Sequence, residues 1–242
     1  MSRKAKDRAA EGPIAATGAA ADRWERHKSN AKTIGGAVLL ALFIRVLLFE
    51  AFEIDGPSME PTLLNGDRVV VAKYMYGLFL PFTNEAIASW GMPSPGDVVI
   101  VRSPLDNIDI VKRVIGVPGD VIEIRDDVVF RNDEPLQVRI VGPCRSEDGG
   151  HEYDSCEWVE ESIGSRHWQT SRSRLSVPNT MEPMEVPEGH IFVMGDHRDR
   201  SNDSRNPRVG MIPIQRVKGR ALAIYWSWDG GTRWDRIFDG VH

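Results

Sequence analysis

Ser58 is the first residue whose surroundings suggest nucleophilic chemistry in this chain. It lies in residues 54 to 63, Ile-Asp-Gly-Pro-Ser-Met-Glu-Pro-Thr-Leu. Gly56, Pro57 and Pro61 favour a tight and stiff turn, which would present the hydroxyl group outward instead of burying it among strand hydrogen bonds. A serine hydroxyl is weakly nucleophilic at neutral pH, so the site also requires a base.

Lys112 is the candidate base. It lies in a segment rich in β-branched residues that ends in a turn containing glycine and proline. The ordinary pKa of lysine is near 10.4, so a general base at neutral pH needs a pKa about 2 to 3 units lower. Burial beside Val111, Val114 and Ile115 would lower it, because apolar surroundings disfavour the charged ammonium group. Taken singly, the serine and the lysine are more typical of an ordinary turn and a surface strand.

A third segment, residues 194 to 205, carries six charges and two hydroxyl groups in a dozen positions. It directly follows a predicted apolar strand at 190 to 193. Such a charge run is usually a salt-bridged surface loop. This segment follows the serine segment and the lysine segment along the chain, and the presence of all three in that order favours a functional role.

Together the three segments resemble those of bacterial type I signal peptidases, membrane-anchored endopeptidases that use a serine and a lysine. Several ordered motifs at such spacing are a strong signal, whereas any one of them is weak. The resemblance extends from the apolar segment to the C terminus, through Arg45 to Glu50, Gly56 to Leu63, Gly96 to Val101, Lys112 to Asp120 and Gly195 to Arg205.

The resemblance implies a role for each matching residue. Ser58 would be the nucleophile and Lys112 the general base, while the Ser201 hydroxyl would orient the lysine. Asp203 and Arg205 would form a charged pair that supports the site. The Ser58 backbone N–H would hold the oxyanion of the tetrahedral intermediate.

Three positions depart from the common family pattern. Some members add a second oxyanion donor from a serine two residues before the nucleophile, and this chain has Gly56 there. His197 stands where the family usually has asparagine, and Arg200 is a further departure in the same loop.

The substrates implied by the resemblance are secretory preproteins with small residues one and three positions before the cut. Ile54, Met59, Leu63 and Val111 match the shallow apolar pockets that accept these side chains. Each of the four is also compatible with an ordinary core position. No metal and no other cofactor is expected.

The N-terminal region predicts a membrane anchor. Residues 1–33 form a basic tail, and residues 34–52 are nearly all apolar, interrupted only by Arg45 and Glu50. Such a run is about long enough for one spanning helix, provided that Arg45 reaches the nearer interface with Glu50 as its partner. A removed signal sequence is disfavoured because no small-residue cleavage site follows, and a buried core helix because the run is long and its basic flank is one-sided.

The basic tail also predicts topology. The positive-inside tendency places the N terminus in the cytoplasm and the domain after residue 52 on the outer, periplasmic face of the plasma (inner) membrane, as a single-pass protein. An apolar edge could rest on the lipid bilayer, with burial as the alternative for each of its members: Phe79, Leu80, Phe82, Trp90, Trp226, Trp228 and Trp234.

Beyond the anchor, short Val- and Ile-rich segments bounded by Gly, Pro, Asp or Asn predict a mainly β fold with antiparallel sheets. The predicted catalytic β domain comprises residues 53–131 and 186–242. The resemblance implies that residues 132–185 form a smaller inserted β domain. Cys144 and Cys156 in that insertion predict a disulfide, since the outer compartment is oxidising; a zinc site is disfavoured because only His151 lies between them.

Composition excludes little by itself. A chain of 242 residues with 41% hydrophobic residues can bury a core, and a net charge of -5 gives no reason to expect a nucleic-acid partner.

A self-cleaving repressor with a related core would carry an N-terminal DNA-binding module and no membrane span. A non-catalytic β module would have no need of Ser58 and Lys112, and a penicillin-binding or β-lactamase site needs lysine where Pro61 stands.

Overall fold

The computed structural model of the protein describes residues 15–79, 86–144, 156–174 and 178–242. One helix, α1 (Ala15–Leu48), precedes the strands. The strands are β1 (Phe49–Glu53), β2 (Asp67–Ala72), β3 (Gly77–Phe79), β4 (Ala86–Ser89), β5 (Val98–Arg102), β6 (Asp109–Gly116), β7 (Val121–Arg125), β8 (Val128–Arg131), β9 (Glu134–Pro135), β10 (Gln137–Pro143), β11 (Cys156–Ile163), β12 (Arg166–Ser173), β13 (Met181–Glu185), β14 (His190–Met194), β15 (Ile212–Pro213) and β16 (Val217–Ser227).

Helix α1 contains most of the predicted anchor, but not its end. The helix stops at Leu48, and residues 49–52 of the apolar run lie in β1, where they pair with β2. Glu50 therefore does not act as a helical partner of Arg45; its carboxylate lies 3.4 Å from Lys73 Nζ. Apolar side chains between Ile34 and Phe43 are exposed along the helix.

Among residues 15–79, 86–144, 156–174 and 178–242, no helix combines the length and the apolar character that crossing a membrane requires.

The largest sheet has seven strands in the order β1-β2-β16-β5-β6-β14-β15. All neighbouring pairs in it are antiparallel. The predicted mainly β, antiparallel class is therefore confirmed. The three segments singled out in the sequence all adjoin this sheet. The serine segment connects β1 to β2, Lys112 lies on β6, and the charged loop follows β14, the neighbour of β6.

Strand β5 shows why the sheet is buried on both faces. Val98 and Ile100 belong to one apolar cluster, and Val99 and Val101 belong to another. Successive side chains of a strand point to opposite faces, so a run of four apolar residues supplies both clusters. The central strands are thus held rigidly from two sides, and rigid strands can position catalytic groups.

Smaller sheets accompany the large one. Strands β10, β11 and β12 form a three-stranded sheet within the predicted insertion, and residues 45–242 make one compact unit that includes it. Strand β13 also falls in the range 132–185, yet it pairs with β7 from the first catalytic segment, in the sheet ordered β13-β7-β8-β9. The insertion therefore contributes strands to two different sheets.

The predicted disulfide is confirmed. Cys144 and Cys156 are bonded across the β10–β11 connection, with their Cα atoms 5.2 Å apart and a sequence separation of 12. The Cys144 N–H also donates a hydrogen bond to the Cys156 carbonyl at 3.1 Å. The disulfide therefore joins the ends of two paired strands in the three-stranded sheet.

Replacing Cys144 and Cys156 together by alanine should lower the free energy of unfolding by about 2 to 3 kcal/mol, since the unfolded chain loses a short-loop constraint. Chemical denaturation of the oxidised wild type and of the variant measures the difference. Reduced wild type is the matched control, and it should unfold like the variant, which is itself insensitive to reductant. Equal stability of the oxidised wild type and the variant would contradict the stabilising role.

Candidate active site

The turn that carries Ser58 connects β1 to β2. Backbone hydrogen bonds close its base: the Ile54 N–H donates to the Asp67 carbonyl at 2.8 Å, and the Gly66 N–H donates to the Ile54 carbonyl at 2.9 Å. The chain between these points, residues 55 to 65, has to form a loop that projects from the sheet edge. This loop holds the serine.

Gly56 and two buried side chains determine the shape of that loop. Gly56 has a φ of 93°, a conformation that residues with a Cβ rarely adopt, and its N–H donates to Asn65 Oδ1 at 2.9 Å. Met59 and Leu63 are fully buried in the apolar cluster beneath the turn. The turn is thus held on one side by apolar packing, which leaves the side of Ser58 open for chemistry.

Strand β6 brings Lys112 to the serine. Lys112 is paired across from Val99 of β5 and is only 3% exposed. Its Nζ lies 2.8 Å from Ser58 Oγ and donates to the Val111 carbonyl, also at 2.8 Å. Two residues separated by 54 positions in the sequence are therefore within proton-transfer distance.

Burial lowers the pKa of Lys112 to about 8. Desolvation of the ammonium group is the largest cause; the nearby carboxylates of Asp203 and Asp196 oppose it, and the Arg205 guanidinium assists it. With a pKa near 8, roughly a tenth of the lysine is neutral at pH 7, against well under a hundredth for an ordinary lysine. The electrostatic surroundings thus give Lys112 a basic form near neutral pH.

Asp203 and Arg205 form the charged pair that the sequence predicted. Arg205 Nε donates to Asp203 Oδ1 and Arg205 Nη2 to Asp203 Oδ2, each at 2.8 Å, while Asp203 Oδ2 also accepts from the Gly195 N–H at 2.9 Å. Burial alone would raise the pKa of Asp203, but the bonds and charge of Arg205, the Gly195 N–H and the Ser201 hydroxyl hold it below its ordinary value. Asp203 is therefore ionised, and both of its carboxylate oxygens accept hydrogen bonds that hold the loop.

A second buried ion pair was not assigned a role from the sequence. Arg113 is fully buried, and its Nε and Nη2 donate to the two carboxylate oxygens of Asp196 at 2.8 and 2.7 Å. Thr62, near Ser58 in the turn, also donates its hydroxyl to Asp196. One feature of the sequence could have indicated that Arg113 is buried. Successive side chains of a strand point to opposite faces, and both faces of β6 are covered.

Ser201 lies close to the dyad without bonding to Lys112. Its Oγ is buried and makes no hydrogen bond of full geometry in the described part of the chain, although the hydroxyl lies close enough to the Asp203 carboxylate to help lower the pKa of that group. A Cβ on Gly195 would be 2.2 Å from this Oγ and 2.4 Å from the Ser58 carbonyl oxygen. Only glycine at 195 lets Ser201 and the backbone of Ser58 approach so closely, a constraint that the sequence did not reveal.

His197 and Arg200, the two departures in the charged loop, lie in different surroundings. The His197 N–H donates to the Ser58 carbonyl at 3.2 Å, and His197 Nδ1 lies 3.4 Å from Glu60 Oε2. Arg200 is exposed. His197 therefore contacts the turn that carries the serine.

The predicted pocket residues separate into two groups. Ile54, Met59 and Leu63 are buried members of one core cluster, whereas Val111 is partly buried and packs against that cluster. Val111 also borders an open strand edge, because β14 pairs with β6 only from Arg113 onward. An extended peptide could therefore approach β6 at Val111, next to Lys112.

A serine hydroxyl beside a buried lysine of lowered pKa is an arrangement that can activate the hydroxyl as a nucleophile. Residues 27–226 match the family described as signal peptidase, peptidase S26. Signal peptidase I of Pseudomonas fluorescens is 35% identical over 209 residues, covering 81% of this chain and 72% of the relative. Signal peptidase I of Bacillus licheniformis is 33% identical over 198 residues, covering 82% of this chain and 88% of the relative.

The family match and these relatives show that the chain belongs to the signal peptidase family, peptidase S26, and is a serine endopeptidase. A crystal structure of a signal peptidase I from Enterococcus faecalis V583 is 27% identical, with a TM-score of 0.32 over 55% of this chain and 98% of that one.

The pH dependence of cleavage should report the pKa of Lys112. A base must be neutral to accept a proton, so with Lys112 as the base kcat/KM for a peptide substrate should rise about tenfold per pH unit below pH 8 and level off above it. Replacing Asp203 by asparagine removes a charge that raises this pKa, so the midpoint should move to lower pH. A profile that is flat below pH 8, or a midpoint near that of free lysine, would contradict the assignment.

Proposed function

We propose that this endopeptidase removes N-terminal signal peptides from secreted preproteins with Ser58 as nucleophile and Lys112 as general base. The observation that carries the proposal is the 2.8 Å approach of Lys112 Nζ to Ser58 Oγ, combined with the lowered pKa of the lysine. Membership in the signal peptidase family supports the substrate class.

In the first half-reaction, neutral Lys112 takes the hydroxyl proton as Ser58 Oγ attacks the scissile carbonyl carbon. The oxyanion that forms can accept a hydrogen bond from the Ser58 N–H, which donates to no group among the described residues. Collapse of the intermediate breaks the C–N bond, and protonated Lys112 gives its proton to the departing amine. The products are the mature protein and an acyl-enzyme on Ser58.

In the second half-reaction, water attacks the ester carbonyl and loses a proton to Lys112. Collapse of this second intermediate releases the signal peptide with a free carboxylate and returns the proton to Ser58 Oγ. Gly56 has no side chain to donate to either oxyanion, so this chain would rely on backbone or water for a second donor.

The Ser201 hydroxyl is proposed to orient the amine of Lys112. This buried hydroxyl lies beside the Asp203 carboxylate but makes no hydrogen bond of full geometry, and such a group is costly to bury. A hydrogen bond to the lysine that tightens when substrate binds would explain why it is there. Asp203 and Arg205 support this role, because the pair follows the serine and also bonds to the Gly195 N–H and the Arg198 carbonyl before it.

The substrate is proposed to bind in extended form along the open edge of β6. Small side chains one and three residues before the cut would then meet the shallow apolar surface at Val111, with Ile54, Met59 and Leu63 forming the floor. The partial burial of Val111 over that cluster supports this arrangement. Larger side chains would collide with the closely packed floor.

Membrane attachment through the N-terminal region is proposed on two observations. The apolar side chains of α1 between Ile34 and Phe43 are exposed, and so are Trp90, Trp228 and Trp234 on the β body. Exposed apolar groups of this size suit a lipid contact. Trp226 is partly buried, Leu80 and Phe82 lie outside the described residues, and the side chain of Phe79 is likewise not described.

Ser58→Ala and Lys112→Ala should each lower kcat for preprotein cleavage by about 10⁴-fold or more, and the double variant should be little worse, because the two groups act as a unit. Lys73→Ala is the matched control, since Lys73 is also a buried lysine but pairs with Glu50 away from the serine. The control should cleave at close to the wild-type rate. Substantial turnover by Lys112→Ala would eliminate lysine as the base.

The orientation is tested by protease added to intact spheroplasts that contain the full chain. The basic N-terminal tail predicts that residues after the anchor are digested while an epitope on the tail survives. In lysed spheroplasts the same epitope should be lost, which controls for its accessibility. A protected catalytic body in intact spheroplasts would mean the opposite orientation.

A further inference from the structure

The three-stranded sheet β10-β11-β12 touches both segments of the active site through one residue, Ser171 of β12. Ser171 is buried. Its N–H donates to the Asp196 carbonyl at 2.9 Å, and its hydroxyl donates to the Glu60 carbonyl at 3.3 Å. Glu60 lies two residues after Ser58, and Asp196 begins the charged loop. Ser171 thus lies between the loop after β14 and the turn of residues 55 to 65 that carries Ser58, here called the nucleophile turn.

The backbone contacts continue from Ser171 to the nucleophile itself. Ser171 pairs with His197 in an isolated parallel bridge, and the His197 N–H donates to the Ser58 carbonyl. The loop residue His197 therefore contacts both the inserted sheet and the turn. The hydroxyl of Ser171 adds the direct link from the sheet to the turn.

Other contacts hold the sheet to the charged loop independently of that hydroxyl. Glu161 of β11 and Arg198 form a buried ion pair, and the Ser173 N–H donates to Asp199 Oδ2 at 2.5 Å. Loss of the Ser171 hydroxyl alone would leave these contacts in place. It would remove only the bond that ties the sheet to the segment after Ser58.

We propose that Ser171 is a positioning residue, whose hydroxyl fixes the nucleophile turn relative to the loop around Lys112. The inference rests on the proposed roles of Ser58 and Lys112 and deepens them. Proton transfer from Ser58 Oγ to Lys112 Nζ depends on their separation, and a misplacement on the order of 1 Å can lower a rate about 100-fold. The inserted sheet would therefore act on the chemical step, although it contributes no group to the reaction.

Thr170 offers a closely matched control on the same strand. It is buried like Ser171, and its hydroxyl donates to the Val159 carbonyl at 3.3 Å, within the inserted sheet. Thr170→Ala and Ser171→Ala each remove one hydroxyl-to-carbonyl bond of equal length. Only Ser171→Ala removes a bond to the active-site turn.

The experiment compares full-length wild type, Ser171→Ala, Thr170→Ala and Ser171→Thr in preprotein cleavage, with kcat, KM and Tm measured for each. Ser171→Ala should lower kcat roughly three- to tenfold, the effect of one lost hydrogen bond, with KM nearly unchanged. Thr170→Ala should keep the wild-type kcat even where its Tm falls further. Ser171→Thr retains the hydroxyl and should recover kcat relative to Ser171→Ala, whatever its Tm.

Ser58→Ala is assayed in parallel to separate the two hypotheses. Turnover by Ser58→Ala would overturn the proposed dyad and this inference together. An inactive Ser58→Ala with full kcat in Ser171→Ala would overturn this inference alone. Equal losses of kcat in Ser171→Ala and Thr170→Ala, or no recovery in Ser171→Thr, would show that the sheet contributes stability only.

Discussion

The lowered pKa of one buried amine is the constraint on which the rest of the site depends. Burial lowers the pKa of Lys112, yet two carboxylates, Asp203 and Asp196, lie close enough to favour the charged form. Each carboxylate is bonded in two places to an arginine, Arg205 or Arg113. The Arg205 guanidinium opposes the carboxylates and lowers the pKa of the lysine. The ion pairs that hold these carboxylates therefore also influence the pKa of Lys112.

Strand β6 allows this arrangement because it is covered on both faces. Lys112 Nζ reaches Ser58 Oγ in the β1–β2 turn, and Arg113, the next residue, bonds to Asp196 and to the Thr62 hydroxyl of the same turn. Asp196 in turn accepts the hydroxyl of Thr62 in the turn. A shift of β6 by one residue would exchange the two side chains and destroy both functions. The apolar packing of the neighbouring strand β5 on both faces fixes that register.

The sequence was sufficient for the mainly antiparallel class, the disulfide and the identity of the family, because each depends on local composition or on ordered motifs. It could not reveal contacts between distant segments. Arg113 and Asp196 are 83 positions apart, and Ser171 and Glu60 are 111 apart; neither pair has a local signature. The end of α1 at Leu48 was likewise missed, because pairing with β2 outweighs the helical character of the apolar run.

Gly195 has a consequence for inhibition of this enzyme. Any side chain at this position would collide with the hydroxyl of Ser201 and with the carbonyl of Ser58, so a substitution would displace the nucleophile turn. An inhibitor that rests against the backbone at Gly195 and Ser58 would contact atoms that mutation can move only by disabling the enzyme. Resistance to such a compound would have to arise elsewhere, in its uptake or in the amount of enzyme produced.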